Sequence, residues 1–243
     1  MAQANSISAF IWDYDGTLVD SLEKNLTITR AIIPAVTGKD PSHYDPLKDL
    51  ATYERVLQST PNWRTFYGGV LGLTAAQVEQ AGGLWSNYQR ADRTPTPVFS
   101  HLEAAFAALG NYRHGVVSQN ARPSIMDCLG QAGLGDHFDY VVGYQDVPPD
   151  RQKPQPDGLL MCIEALTGFD PGHVFYLGDH DTDIETARNA NRVLKENGAS
   201  TRVVAVAVTY SHLNARKWKS DPDFTAASPA DIVTLAQEFE RVP

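Results

Sequence analysis

Two aspartates, Asp13 and Asp15, stand two residues apart in the run Ile11-Trp12-Asp13-Tyr14-Asp15-Gly16-Thr17-Leu18-Val19-Asp20, where an apolar stretch meets a glycine. Ser8-Ala9-Phe10-Ile11-Trp12 reads as a short buried strand, and Gly16 supplies a turn position where the chain can bend without a Cβ penalty. Asp13 then falls at the carboxyl end of the strand, the end that faces the ligand crevice in an open α/β sheet. Side chains alternate along an extended segment, so both carboxylates start on one side, and the turn at Gly16 bends the second inward. Carboxylates this close repel each other, and a divalent cation or a proton on one of them relieves the repulsion. The layout suits phosphoryl transfer; taken alone, it equally suits the capping of the next helix.

Three further segments follow in order. Gly115-Val116-Val117-Ser118-Gln119-Asn120 is an apolar run ending in a hydroxyl and two amides, groups that with backbone N–H donors can hold phosphate oxygens without adding charge. Lys153-Pro154-Gln155-Pro156-Asp157 holds a lysine in a stiff, proline-flanked stretch, where an ammonium aimed at a phosphate loses less entropy. Val174-Phe175-Tyr176-Leu177-Gly178-Asp179-His180-Asp181-Thr182-Asp183 is a buried strand with carboxylates four residues apart as a helix begins. That spacing can set Asp179 on a metal with Asp183 beside it, although an acidic first helical turn also satisfies the helix dipole.

Aspartate pair, serine, lysine and aspartate pair, each closing an apolar run, together resemble the four motifs of the haloacid dehalogenase (HAD) superfamily phosphatases, most like the phosphoglycolate phosphatase branch. The resemblance covers nearly the whole chain. It implies that Asp13 attacks phosphorus and forms an aspartyl-phosphate, while Asp15 protonates the leaving alcohol and then activates water. It implies Mg²⁺ held by Asp13, the Asp15 backbone carbonyl and Asp179, with Asp183 a ligand or an outer partner. Ser118 and Lys153 would bind the phosphoryl oxygens, aided by backbone amides near Tyr14 and Gln119, with Gln119, Asn120 and Arg64 as further substrate-binding candidates. Asp181 has no role in the family pattern and reads as an outer acid or cap. Asp15 argues against the dehalogenase and phosphonatase branches, which lack or replace it. A sugar phosphomutase uses the same aspartate pair, and the motifs do not separate it from a hydrolase. A non-catalytic binding module would be expected to have lost one of the two aspartates.

The elements that must position these residues follow from patterning. Alternating strands and helices argue for a Rossmann-like α/β core, a parallel sheet with helices on both faces. Strands are expected near 8–12, 139–142, 174–177, 203–208 and 223–225, and helices around Leu159 to Leu166, after Asp183 and after Ser228-Pro229. The core is assigned to 1–20 and 94–243, with an inserted α-helical cap at 21–93. In the insert, Leu22, Leu26, Thr29 and Ile33 recur at helical spacing until Pro34 ends or kinks the helix. Thr74-Ala75-Ala76-Gln77 is a capping box for a helix running to about Arg90. Thr94-Pro95-Thr96-Pro97 reads as a stiff hinge strand, and Ser100-His101-Leu102-Glu103 as a second capping box. Asn62-Trp63-Arg64-Thr65-Phe66-Tyr67-Gly68-Gly69 combines aromatics, a cation and glycines, as interhelical packing or a substrate-reading loop with Arg64 on an anion. Lys39, His43 and Arg55 are weaker candidates there. The helix after Asp183 extends to Gly198, longer than the family pattern.

Composition sets outer bounds. A chain of 243 residues, 42% hydrophobic, can build one large core and a smaller lobe. A net charge of −9 without a basic tract speaks against a nucleic acid polymer, so attraction of a small phosphorylated metabolite must be local. Cys128 and Cys162 form no metal or disulfide framework. No leader pattern and no apolar run of ~18 residues is present, so a cytoplasmic enzyme away from membranes is expected. Oligomeric state is not legible.

Overall fold

The computed structural model of the chain describes residues 5–211 and 219–241. Contacts divide the chain into two compact units, Met1–Asp20 with Val98–Pro243, and Ser21–Pro97. The first is built on β1 (Ile7–Trp12). In the inserted unit follow α1 (Leu22–Thr37), α2 (Leu50–Gln58), the short turn α3 (Trp63–Thr65) and α4 (Ala75–Ala91). The first unit resumes with α5 (Leu102–Ala108), β2 (Arg113–Val117), α6 (Arg122–Gln131), β3 (Tyr140–Val142), α7 (Asp157–Thr167), β4 (Gly172–Gly178), α8 (Asp181–Glu196), β5 (Thr201–Val208), β6 (Phe224–Ala226) and α9 (Pro229–Arg241).

The six strands form one parallel sheet in the order β3-β2-β1-β4-β5-β6. Chain order runs outward from β1 to β3 and then restarts at β4 on the other side of β1. The β1/β4 border is therefore the switch point, where a crevice opens at the carboxyl ends of such sheets. Period-two alternation sorts the core. Phe10 and Trp12 pack with Leu102 and Phe106 of α5, Ile125 and Leu129 of α6 and Ile232 of α9. Ala9 and Ile11 pack with Leu159 and Ile163 of α7 and Ile184 and Ala187 of α8. Helices thus cover both faces, the Rossmann-like arrangement expected from the strand and helix pattern.

The inserted unit is helical, with Leu26, Ile32, Ile33, Tyr53, Phe66, Tyr67 and Val78 at its core. The Thr74 capping box forms as expected, Thr74 Oγ1 accepting from Gln77 N and Gln77 Oε1 from Thr74 N. Phe66–Val70 winds as a π-helical turn carrying the two glycines.

Three local expectations need correction. Of the two outcomes expected at Pro34, an end or a kink, the end does not occur; α1 runs on to Thr37 and stops at Gly38 in the left-handed region. Ile32, Ile33 and Val36 are buried around the proline, and that packing outweighs the lost N–H donor. Residues 94–97 form no strand; only Val98 makes an isolated bridge, to Val19. Ser100 is not a cap: α5 starts from His101, at φ 69°, without a side-chain cap bond. The Val19–Val98 bridge and the Phe99 N–H bond to the Leu18 carbonyl fix the chain entering α5, and this pairing overrides the local capping preference. Among the described residues no helix is long and apolar enough to cross a membrane.

Candidate active site

Asp13 follows β1 directly, and its N–H donates to the Leu177 carbonyl of β4, so the strand end is pinned at the switch point. Asp179 follows β4 next to it. Asp13, Asp179 and Asp183 are all buried and offer carboxylate oxygens within 4.8 Å of one another, close enough to hold a metal ion. Two glycines make this crowding feasible. Gly16, at φ 75°, packs against the Asp179 carboxylate, and Gly178 packs against that of Asp183, so a Cβ at either place would collide.

Lys153 enters the cluster from the loop before α7, after which the chain passes through a cis peptide to Pro154. Its Nζ donates to Asp13 Oδ1 at 2.6 Å and to Asp183 Oδ1 at 2.7 Å, with the lysine side chain 7% exposed. Asp183 is held on both oxygens: Oδ1 also accepts from the Tyr176 hydroxyl at 3.0 Å, and Oδ2 accepts from the His180 N–H at 3.2 Å. Burial raises the Asp13 carboxyl well above the ordinary carboxylate range; the Lys153 ammonium works against this, and Asp183 and Asp179 add to it. Burial alone would lower Lys153, but Asp13 and Asp183 outweigh it and hold the ammonium well above its ordinary value. Three buried carboxylates against one ammonium leave an excess of negative charge, and a hard cation with oxygen ligands is the chemistry that balances it.

Ser118, Gln119 and Asn120 follow β2, on the other side of β1. Ser118 Oγ accepts from the Asn120 N–H at 3.0 Å, and Gln119 Nε2 donates to the Lys153 carbonyl at 3.1 Å. Asn120 Nδ2 donates to Asp15 Oδ2 at 3.3 Å. A cavity of about 20 Å³ lies beside Ser118, Gln119 and Lys153, room for roughly one water. Asp13, Asp15, Ser118, Gln119, Asn120, Lys153, Asp179 and Asp183 thus all stand in one unit, at or just after the carboxyl ends of β1, β2 and β4, in the loop after β3 for Lys153 and in the first turn of α8 for Asp183. Arg64 belongs to the helical unit, where its Nε lies 3.3 Å from Glu79 Oε1 and its guanidinium 4.1 Å from the Trp63 ring centroid. Lys39, His43 and Arg55 are exposed in that unit. Asp181 opens α8 and accepts from the Lys219 N–H at 2.7 Å.

Tyr176 escaped the sequence reading. A fully buried tyrosine in the apolar run Val174-Phe175-Tyr176-Leu177 needs a partner for its hydroxyl, and this was the available signal.

Comparison with known proteins adds an independent line. The family model for haloacid dehalogenase-like hydrolases matches residues 10–193. A phosphoglycolate phosphatase from Synechococcus elongatus is 25% identical over 241 residues, covering 97% of this chain and all of that protein. Pyrophosphatase PpaX from Bacillus velezensis is 26% identical, covering 94% of this chain and 96% of that protein. A haloacid dehalogenase-like family hydrolase from Streptococcus pneumoniae has the same fold at a TM-score of 0.65 and 17% identity, with 94% and 97% of the two chains covered. With the family model spanning the motif strands from β1 into α8, the chain belongs to the haloacid dehalogenase-like hydrolases.

Proposed function

We propose that this protein is a Mg²⁺-dependent phosphatase that hydrolyses a small phosphomonoester through an aspartyl-phosphate on Asp13. The observation that carries the reading is the Lys153 ammonium bridging Asp13 and Asp183 inside a cluster of three buried carboxylates. Asp13, Asp179 and Asp183 would hold the ion, all hard oxygen donors of the kind magnesium takes. When bound, the ion offsets the charge of the carboxylates and of an incoming phosphate.

The Asp13 carboxylate attacks phosphorus, and Lys153 and Ser118 hold the phosphoryl oxygens, so the barrier is lowered by positioning and preorganised charge. Asp15 gives a proton to the departing alcohol oxygen and then takes one from the water that cleaves the acyl phosphate. Substrate choice is assigned to the inserted helical unit, with Arg64 a candidate reader of a substrate anion. The named relatives act, by their names, on phosphoglycolate and pyrophosphate, both small and phosphorylated, and phosphoglycolate is the first substrate to test.

Release of inorganic phosphate across a panel of small phosphomonoesters, with Mg²⁺ or with chelator, tests this for the wild type beside Asp13→Asn. Release that requires both the ion and Asp13 is expected. Turnover retained by Asp13→Asn would remove it as nucleophile, and an isomerised sugar phosphate without phosphate release would replace the hydrolase with a mutase.

A further inference from the structure

We propose that Asn120 is a positioning residue for Asp15, orienting its carboxyl so that one chosen oxygen delivers the proton to the leaving group. The proposal rests on Asp15 being the acid and base of the reaction described above. Asn120 is 5% exposed and held at several points. Its side-chain Oδ1 accepts from the Ala121 N–H at 2.8 Å, at the start of α6. Its own N–H donates to Ser118 Oγ at 3.0 Å, and its carbonyl accepts from the Tyr144 N–H at 3.0 Å. A backbone N–H can only donate, so the end of the amide facing Ala121 must be the oxygen. The NH₂ end therefore faces Asp15, and Nδ2 lies 3.3 Å from Asp15 Oδ2.

An amide NH₂ can donate but cannot accept. The carbonyl oxygen of a neutral carboxyl is a better acceptor than its hydroxyl oxygen, so with Asn120 donating to Oδ2 the neutral carboxyl favours its proton on Oδ1. In the first step the bond from Asp13 to phosphorus forms and the bond from phosphorus to the alcohol oxygen breaks. The electron pair stays on that oxygen, which takes the proton from Asp15 Oδ1. Asp15 returns to carboxylate and can then accept a proton from water. Asn120 thus touches neither phosphorus nor the departing oxygen; it sets which face of Asp15 meets them.

This separates from a direct hold on substrate phosphate through leaving-group dependence. p-Nitrophenyl phosphate releases a stable phenolate that needs little protonation, whereas an alkyl phosphomonoester releases a strongly basic alkoxide and needs the acid. Turnover of both compounds is measured for wild type, Asp15→Asn, Asn120→Ala and the double variant. In Asp15→Asn, kcat on the alkyl ester is expected to fall by roughly a hundredfold more than on the aryl ester. Asn120→Ala is expected to lose roughly tenfold or more in kcat on the alkyl ester and only a few-fold on the aryl ester. In the double variant its loss disappears, because the group it positions is gone. Asn120→Asp keeps the acceptor for Ala121 and removes the donor, and is read the same way if Asn120→Ala does not fold.

Equal losses on both esters in Asn120→Ala, beside a leaving-group-dependent loss in Asp15→Asn, would overturn the positioning role alone. So would a rise in KM at unchanged kcat, the mark of a direct hold on substrate. Equal losses in Asp15→Asn would overturn the acid assignment and the proposal with it.

Discussion

Lys153 Nζ donates to Asp13 Oδ1 across 2.6 Å although the two residues are 140 positions apart in the chain. The bond joins the loop before α7 to the end of β1, and it is buried, so neither charge is screened by solvent. Removing one member of such a pair leaves an uncompensated buried charge, typically at a cost of about 3–5 kcal/mol. Lys153→Ala should therefore melt well below wild type in chelator, and Mg²⁺ should recover part of the loss. Thermal melts with and without the ion check this, and a variant indifferent to Mg²⁺ would count against the three carboxylates as its site.

Tyr176 should matter through Asp183. Its hydroxyl donates to the same Asp183 oxygen that Lys153 uses, so Tyr176→Phe removes one of two donors without changing the packing volume. Outer partners of metal ligands typically change affinity or activity by about 10- to 100-fold when removed. The Mg²⁺ concentration for half-maximal turnover should rise by about that range in Tyr176→Phe. An unchanged activation curve would reduce the hydroxyl to packing.

Gly16→Ala should disable the site. The position has φ 75°, and an added Cβ would strike the Asp179 carboxylate. Left-handed backbone costs an L-residue about 1–2 kcal/mol, and the collision displaces a candidate ligand as well. Phosphate release should be lost while circular dichroism still reports a folded chain. Full activity would mean that Asp179 can be displaced without consequence.

The pH dependence of stability should carry a contribution from His114. Trp12 Nε1 donates to His114 Nδ1 at 3.1 Å, and His114 Nε2 meets the Leu109 carbonyl at 3.1 Å, an arrangement that fits the neutral ring. Burial holds its pKa below the ordinary 6.5, with Leu109 and Asp139 opposing. The unfolded chain therefore binds the extra proton first on acidification. The stabilisation is complete above pH 6.5 and is lost as the pH falls through the depressed folded value. Urea midpoints at about pH 7.5 and about pH 5 should differ more for wild type than for His114→Gln. Equal slopes would place the acid sensitivity elsewhere.

Much of the site was legible because its groups close apolar runs. Apolar runs located the ends of β1, β2 and β4, and parallel pairing turned those ends toward one crevice. The Thr74 box was legible for a similar reason, its two bonds lying within four residues. The Ser100 box has the same pattern and failed, since the pairing of Val19 with Val98 came from far along the chain. Pro34 shows the converse, a local breaker overruled by buried neighbours.

The order of the motif residues carried the resemblance to the family, patterning argued for the parallel sheet, and the candidate acidic and basic groups of the site were named from their places at the ends of apolar runs. The tertiary structure decided the partners. That Lys153 reaches both Asp13 and Asp183, that Tyr176 shares Asp183, and that Asn120 turns its amide toward Asp15 all depend on strand order and loop course. Local propensity acts over a few residues, whereas these bonds join positions up to 140 apart, brought together only when the sheet buries its two faces.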